Sequence, residues 1–147
     1  MIAVLQRVSA SSVYVDNVKI ASIGKGLNIL LGIMEGDDKE EIDKALAKIV
    51  NLRIFADEVG KMNLSLLDIR GEMLVISQFT LGASIKKGRR PSFDAAAKPD
   101  DAQRLYLYFI EQALKKVPVL HGKFGEHMDV YIENDGPVTI LVDSKEL

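Results

Sequence analysis

The strongest constraint on this chain is the segment from Leu27 to Ile33, which is apolar at almost every position and follows a Gly24-Lys25-Gly26 turn. A run this short and this uniformly apolar reads as a strand buried on both faces rather than one face of a surface helix. Met73 to Ser77 repeats the pattern. Strands of this kind need cover on each side, so the chain must supply packed layers.

The rest of the pattern supplies them. Ile2 to Val8 has strand propensity, and Val13 and Val15 alternate with polar neighbours. Val18 and Ile20 resume after Asp16-Asn17, a pair that tolerates positive φ and so suits a tight turn. Asp37 to Val50 reads as a helix capped by Asp37, with Glu40 completing a capping box. Ile42, Ala45, Leu46, Ile49 and Val50 form its apolar stripe.

Arg53 to Phe55 reads as a short strand and Asp57 to Lys61 as a surface turn. A second helix begins near Pro99 and stops before Pro118, with Asp100 and Asp101 at its positive end and Lys115 and Lys116 at its negative end. Leu105, Tyr106, Phe109 and Ala113 are its buried stripe. Met128 to Ile132 and Val138 to Val142 read as a closing hairpin around Asn134-Asp135-Gly136-Pro137. The expectation is one α/β domain over residues 1–147, with a mostly antiparallel, barrel-like sheet and two main helices.

Composition narrows the chemistry. The chain has no cysteine, which removes disulfides, thiolate nucleophiles and cysteine-held zinc. Its formal charge of −2 argues against a general nucleic-acid coat but leaves room for a local basic patch. No apolar run reaches membrane-spanning length and Met1 to Arg7 does not resemble a signal peptide, so the expected compartment is the cytoplasm and no membrane partner is expected.

The two histidines, His121 and His127, match no zinc spacing and have no acidic cluster around them. Neither a metal site nor a Ser-His-Asp triad is expected, and both residues read as surface or half-buried groups outside catalysis. Gly24-Lys25-Gly26 is followed by a strand rather than a helix, so it is a turn and not a phosphate loop. No cofactor fingerprint is present.

Three segments carry candidate chemistry. Ser77-Gln78-Phe79-Thr80-Leu81 leaves a buried strand and delivers polar side chains where the backbone becomes free. Alone it also reads as a polar strand end. Asn134 to Thr139 alone reads as a turn, because Asp-Gly favours one. Lys86-Lys87-Gly88-Arg89-Arg90 places four cations within five residues, either a solvated loop or a phosphate-contacting patch.

Together these segments resemble the D-aminoacyl-tRNA deacylase family, along essentially the whole chain. The likeness includes Gln6-Arg7-Val8-Ser9, Ser12-Val13, Asn51 to Phe55 and Gly60 to Ser65. It continues through Ser77 to Leu81, Gly88 to Phe93 and Asn134 to Thr139. One departure is Gly82-Ala83-Ser84-Ile85, where the family usually has an aromatic residue and then an acidic stretch.

The resemblance implies a homodimer with active sites at the subunit interface, acting on the 3′-terminal adenosine and acceptor stem of D-aminoacyl-tRNA. It implies a cis Gly136-Pro137 peptide that enters the partner's site and excludes L side chains. It implies a catalytic segment of Ser77, Gln78, Phe79 and Thr80, with backbone amides near Phe79 and Thr80 as oxyanion donors. Arg7 would lock Gly136-Pro137, and Met128 would line the pocket, although a strand methionine is more often core. Lys86, Lys87, Arg89 and Arg90 would contact tRNA phosphates. Glycine offers no side chain to exclude, so glycyl-tRNA mischarged on an alanine tRNA is an expected secondary substrate. The rival readings are an L-specific editing hydrolase on the same scaffold, a tRNA- or DNA-binding module, and a ligand-free structural dimer.

Overall fold

The computed structural model describes residues 1–147. Its frame is the long strand β1 (Ile2–Val15), which pairs antiparallel with β2 (Val18–Ile23) and β3 (Gly26–Gly32) on one side. The intervening turn uses Asp16 and Asn17 at φ 49° and 63°. Along its other side β1 pairs antiparallel with β8 (Asp129–Asp143). The sheet continues from β3 into two parallel neighbours, β6 (Glu72–Ser77) and β7 (Val119–His121). Strand β2 also approaches β6 and β7, so the mixed sheet curls almost into a barrel.

Alternation along the strands divides the interior in two. Leu27, Ile29 and Leu31 of β3 and Met73 and Val75 of β6 face the helices α1 (Lys39–Asn51) and α2 (Pro99–Leu114) in one core. The apolar stripes of both helices are buried there, including Ile42, Leu46, Leu105 and Phe109. Leu74 and Ile76 point the other way and meet Val8, Val13, Ala21 and Ile23 inside the curl. Strand β3 is thus covered on both faces. Its polar position, Asn28, is fully buried and accepts a hydrogen bond from Ser11 Oγ at 3.0 Å. A small hairpin of β4 (Phe55–Ala56) and β5 (Met62–Leu64) stands outside the main sheet.

Two local expectations need correction. Asp37 does not cap α1. Its carboxylate accepts the Met34 N–H at 2.6 Å and pairs with the Met1 ammonium at 2.7 Å. With Asp37 so occupied, Asp38 takes the cap and accepts from Glu41 N–H at 2.9 Å. Glu40 pairs instead with Lys44 one turn on.

The closing segment is also not a hairpin. Both of its halves pair with β1, Ile132 with Ser11 and Ile140 with Leu5, so β8 runs in one direction throughout. The residues that suggested a turn make a sideways excursion. Val8 is opposite Asn134 and Gln6 opposite Thr139, which leaves residues 135 to 138 facing Arg7 alone.

Candidate active site

Strand β6 ends at Ser77, held by the ladder with Leu31, and Gln78 donates its N–H to Leu31 O at 2.8 Å. A single 3-10 turn, Phe79–Gly82, follows. As the first residues of that turn, Phe79 and Thr80 have no carbonyl within it to receive their N–H groups. Gly82 closes the turn in a buried position, where a Cβ would lie 2.9 Å from Met34 Sδ. The Gly82-Ala83-Ser84-Ile85 stretch thus begins on a buried glycine packed against the Met34 side chain and ends on an exposed Ile85.

The turn borders a cavity of about 460 Å³ walled by Leu31, Ser77, Gln78, Phe79, Phe93 and Tyr106, among others. Phe79 and Phe93 meet edge to face with centroids 5.0 Å apart at its mouth. The helix start Lys98-Pro99 and the loop residues Phe124 and Gly125 complete the wall.

The titratable groups in this wall are Lys98 and Tyr106. The Tyr106 hydroxyl donates to Val75 O at 2.9 Å, and burial pushes it well above the ordinary tyrosine value. Neither carboxylate nor imidazole lines the cavity. Thr80 Oγ1 accepts from Gln78 Nε2, an amide that cannot take a proton from it. The arrangement can position water and donate backbone N–H groups to a developing oxyanion, but it does not pair a hydroxyl with a base.

The basic loop joins this mouth directly. Ser84 and Ser92 exchange backbone hydrogen bonds of 2.7 and 2.9 Å, closing a loop that carries exposed Lys86, Lys87, Arg89 and Arg90. None of the four cations takes part in the ion pairs of the molecule, which involve other residues. Phe93 follows at the base of the loop and reaches the cavity.

Arg7, Gly136 and Pro137 lie elsewhere. Arg7 is opposite Leu27, whereas Leu31, beside Ser77, is opposite Ala3. Four residues of strand separate the two places, about 13 Å along the strand direction alone. Arg7 donates Nε to Asp135 O at 2.9 Å and Nη1 to Ile54 O at 2.7 Å, with Asp135 Oδ2 3.2 Å away. It therefore ties the excursion of β8 to the start of the β4–β5 hairpin. That hairpin is itself firm: Asp57 accepts from Asn63 Nδ2 and from the Val59 and Lys61 N–H groups. The Asn63 bond, with the Lys61 N–H next, holds the Asp57 carboxyl below its ordinary value. Gly136-Pro137 is cis and exposed.

Met128 is not part of the cavity wall. It is half-buried against the smaller core, close enough to Gly122 that a Cβ there would lie 2.6 Å from its sulfur. His121 and His127 are exposed and outside the cavity, His121 Nδ1 lying 2.7 Å from Gly122 O. The cluster therefore brings together Ser77, Gln78, Phe79 and Thr80 with the basic loop, and separately Arg7 with Gly136-Pro137. Sequence reading missed the cavity's other wall, Phe93, Lys98, Tyr106 and Phe124. Two of them gave a signal, Phe93 as the end of the Gly88 to Phe93 segment and Tyr106 as a hydroxyl in a helix's buried stripe.

Comparison with known proteins follows the same lines. The family model described as D-Tyr-tRNA(Tyr) deacylase matches residues 4–143. A D-aminoacyl-tRNA deacylase of Persephonella marina is 60% identical over 147 residues, covering both chains in full. One of Aquifex aeolicus is 53% identical over 148 residues, again covering both in full. A solved structure described as c-Myc DNA Unwinding Element Binding Protein superimposes with a TM-score of 0.93 at 43% identity, covering 97% of this chain and 98% of that one. Another, of a probable eukaryotic D-amino acid tRNA deacylase, gives 0.82 at 19% identity over 96% and 97% of the two chains, a likeness of fold.

The family model and the full-length relatives place the chain, with its curled mixed sheet and two helices, among hydrolases of the deacylase type. More particularly, the chain belongs to the D-aminoacyl-tRNA deacylase family.

Proposed function

We propose that this chain hydrolyses the ester of D-aminoacyl-tRNA to free D-amino acid and tRNA, and that two copies together make each active site. The observation that carries this reading is the division of the candidate groups. The cavity has donors and an apolar wall without a base, while a rigidly held, exposed Gly136-Pro137 segment lies about 13 Å away along the strands. In one copy the two do not meet. The outer edge of β8 pairs with no strand and leaves backbone groups open to a second copy, which supports a homodimer.

In this reading the terminal adenosine occupies the cavity beside Ser77, Gln78 and Phe79. Backbone N–H groups of Phe79 and Thr80 stabilise the oxyanion as water adds to the ester carbonyl carbon. The carbon–oxygen bond to the ribose then breaks, and the ribose oxygen leaves with a proton. The ribose 2′-hydroxyl relays that proton, which suits a cavity without imidazole or carboxylate. An aminoacyl ester is labile enough that positioning and oxyanion stabilisation suffice.

Gly136-Pro137 of the partner walls the side on which an L side chain would project, so selection is by exclusion. Glycyl-tRNA, including glycine mischarged on an alanine tRNA, has nothing to exclude and is a secondary substrate. The loop of Lys86, Lys87, Arg89 and Arg90 contacts acceptor-stem phosphates. Action on tRNA supports a cytoplasmic location.

The test compares amino-acid release from D-tyrosyl-tRNA and L-tyrosyl-tRNA with a chelator present. Release of the D ester only is the expected result. Release of both points to a broader editing hydrolase. Release of neither favours a nucleic-acid-binding module, a second reading motivated by the unpaired cations and by the relative described as a DNA-element-binding protein.

A further inference from the structure

The excursion of β8 is held from two directions. Arg7 grips it from the β1 side through Asp135 O. Across its base, Asn134 bridges the two points where the chain leaves and rejoins the ladder. Asn134 Oδ1 accepts the Val138 N–H at 2.8 Å. Because that backbone group can only donate, it fixes which way the amide faces. Nδ2 must then point to acceptors, and it lies 3.2 Å from both Val138 O and Thr139 Oγ1. Asn134 and Val138 are half-buried, whereas Thr139 and residues 135 to 137 are exposed, so the bonds to Val138 are sheltered, the Thr139 contact is open to water, and the held segment is free to meet another molecule. A single side chain thereby supplies hydrogen bonds that the strand ladder gives up where residues 135 to 138 leave it.

We propose that Asn134, with Thr139 as its acceptor, is a positioning residue for stereochemical selection. It sets how far Gly136-Pro137 projects and so how sharply an L side chain is excluded. The proposal deepens the D-specific reading above and rests on it. An excluding wall must be stiff, since a segment that yields by an ångström admits what it is meant to reject. Arg7 alone leaves the Val138 end of the excursion without a side-chain tether.

The experiment measures release from D-tyrosyl-tRNA and L-tyrosyl-tRNA by the full chain carrying Asn134→Asp, Thr139→Val or Thr139→Ser, with unfolding midpoints recorded beside the rates. Asn134→Asp keeps the acceptor for Val138 N–H but turns a carboxylate oxygen toward Val138 O. It should raise the L-to-D rate ratio by about tenfold, the factor equivalent to weakening one or two hydrogen bonds. Thr139→Val should raise it by a few-fold, and Thr139→Ser, which keeps the oxygen, should restore the wild-type ratio.

A uniform fall in both rates at constant ratio would mean a structural role only and overturns the proposal. If Asn134→Asp fails to fold, an unchanged ratio in folded Thr139→Val overturns it equally. If the unaltered protein releases no D-tyrosine at all, the D-specific reading itself falls and takes this one with it.

Discussion

Arg7 offers the sharpest test of the divided site. Its side chain is 11% exposed and makes two charge-assisted hydrogen bonds, to Ile54 O and Asp135 O. Such bonds contribute about 1.5–3 kcal/mol each when both partners are sheltered. The Asp135 end is discounted: that carboxylate is 51% exposed, and water replaces an exposed ion pair at little cost. The Ile54 bond is therefore the larger loss, and Arg7→Ala should cost roughly 2 kcal/mol in all.

If that amount goes to freeing the Gly136-Pro137 segment, L-ester exclusion weakens by up to about thirtyfold, since ~1.4 kcal/mol is tenfold in rate. Arg7→Lys should fall between, because one ammonium lacks the planar fork that meets both carbonyls. The assay is the ratio of D- to L-tyrosyl-tRNA hydrolysis at matched enzyme, with urea unfolding as a check on folding. A folded Arg7→Ala variant that retains the wild-type ratio within about twofold would refute the claim that Arg7 braces a selecting wall.

Three further outcomes are expected. Thr80→Ala should keep turnover within about tenfold, since its hydroxyl faces the Gln78 amide and no base; a thousandfold loss would instead make that hydroxyl the nucleophile. Neutralising Lys86, Lys87, Arg89 and Arg90 should flatten the salt dependence of tRNA binding by about one slope unit for each phosphate left without its cation, read by anisotropy. An unchanged slope would leave them as a solvated loop. The pH dependence follows from Tyr106, whose ionisation is raised by burial from an ordinary value of 10.0. Its contribution to stability is complete below pH 10.0 and is lost as the pH rises above it, because the unfolded phenol ionises first. Tyr106→Phe should flatten that alkaline loss in urea titrations while removing the Val75 hydrogen bond, about 1 kcal/mol at neutral pH.

Elements whose own side chains decide their burial were legible in the sequence. The stripe Ile42-Ala45-Leu46-Ile49-Val50 reads as one face of a helix, and Leu27 to Leu31 as a covered strand; both are buried as read. The cap of α1 was misplaced by one residue because its competitor is distant in sequence. Asp37 is claimed by the Met1 ammonium, 36 residues away, and no local pattern announces that. Strand β7, three residues just after Pro118, was not read at all, and the parallel pairing of β6 was invisible because nothing within its run says which strand lies beside it.

The misreading of residues 134 to 137 is the informative one. Asp-Gly chemistry does favour leaving the ladder, and the chain does leave it, but it returns to the same partner strand instead of reversing. The deciding quantity is the length of β1, 14 residues, long enough to pair with both halves of β8 in succession. Nothing in Asn134 to Thr139 encodes that length. A true hairpin would have paired the excursion's two flanks with each other. Pairing both flanks with β1 instead sets residues 135 to 138 over Arg7, beside Ile54, and four residues along the strands from the level of Ser77. The register that corrects the secondary structure is thus the same fact that separates the two halves of the candidate site, and the proposal that a second copy of the chain brings them together rests on it.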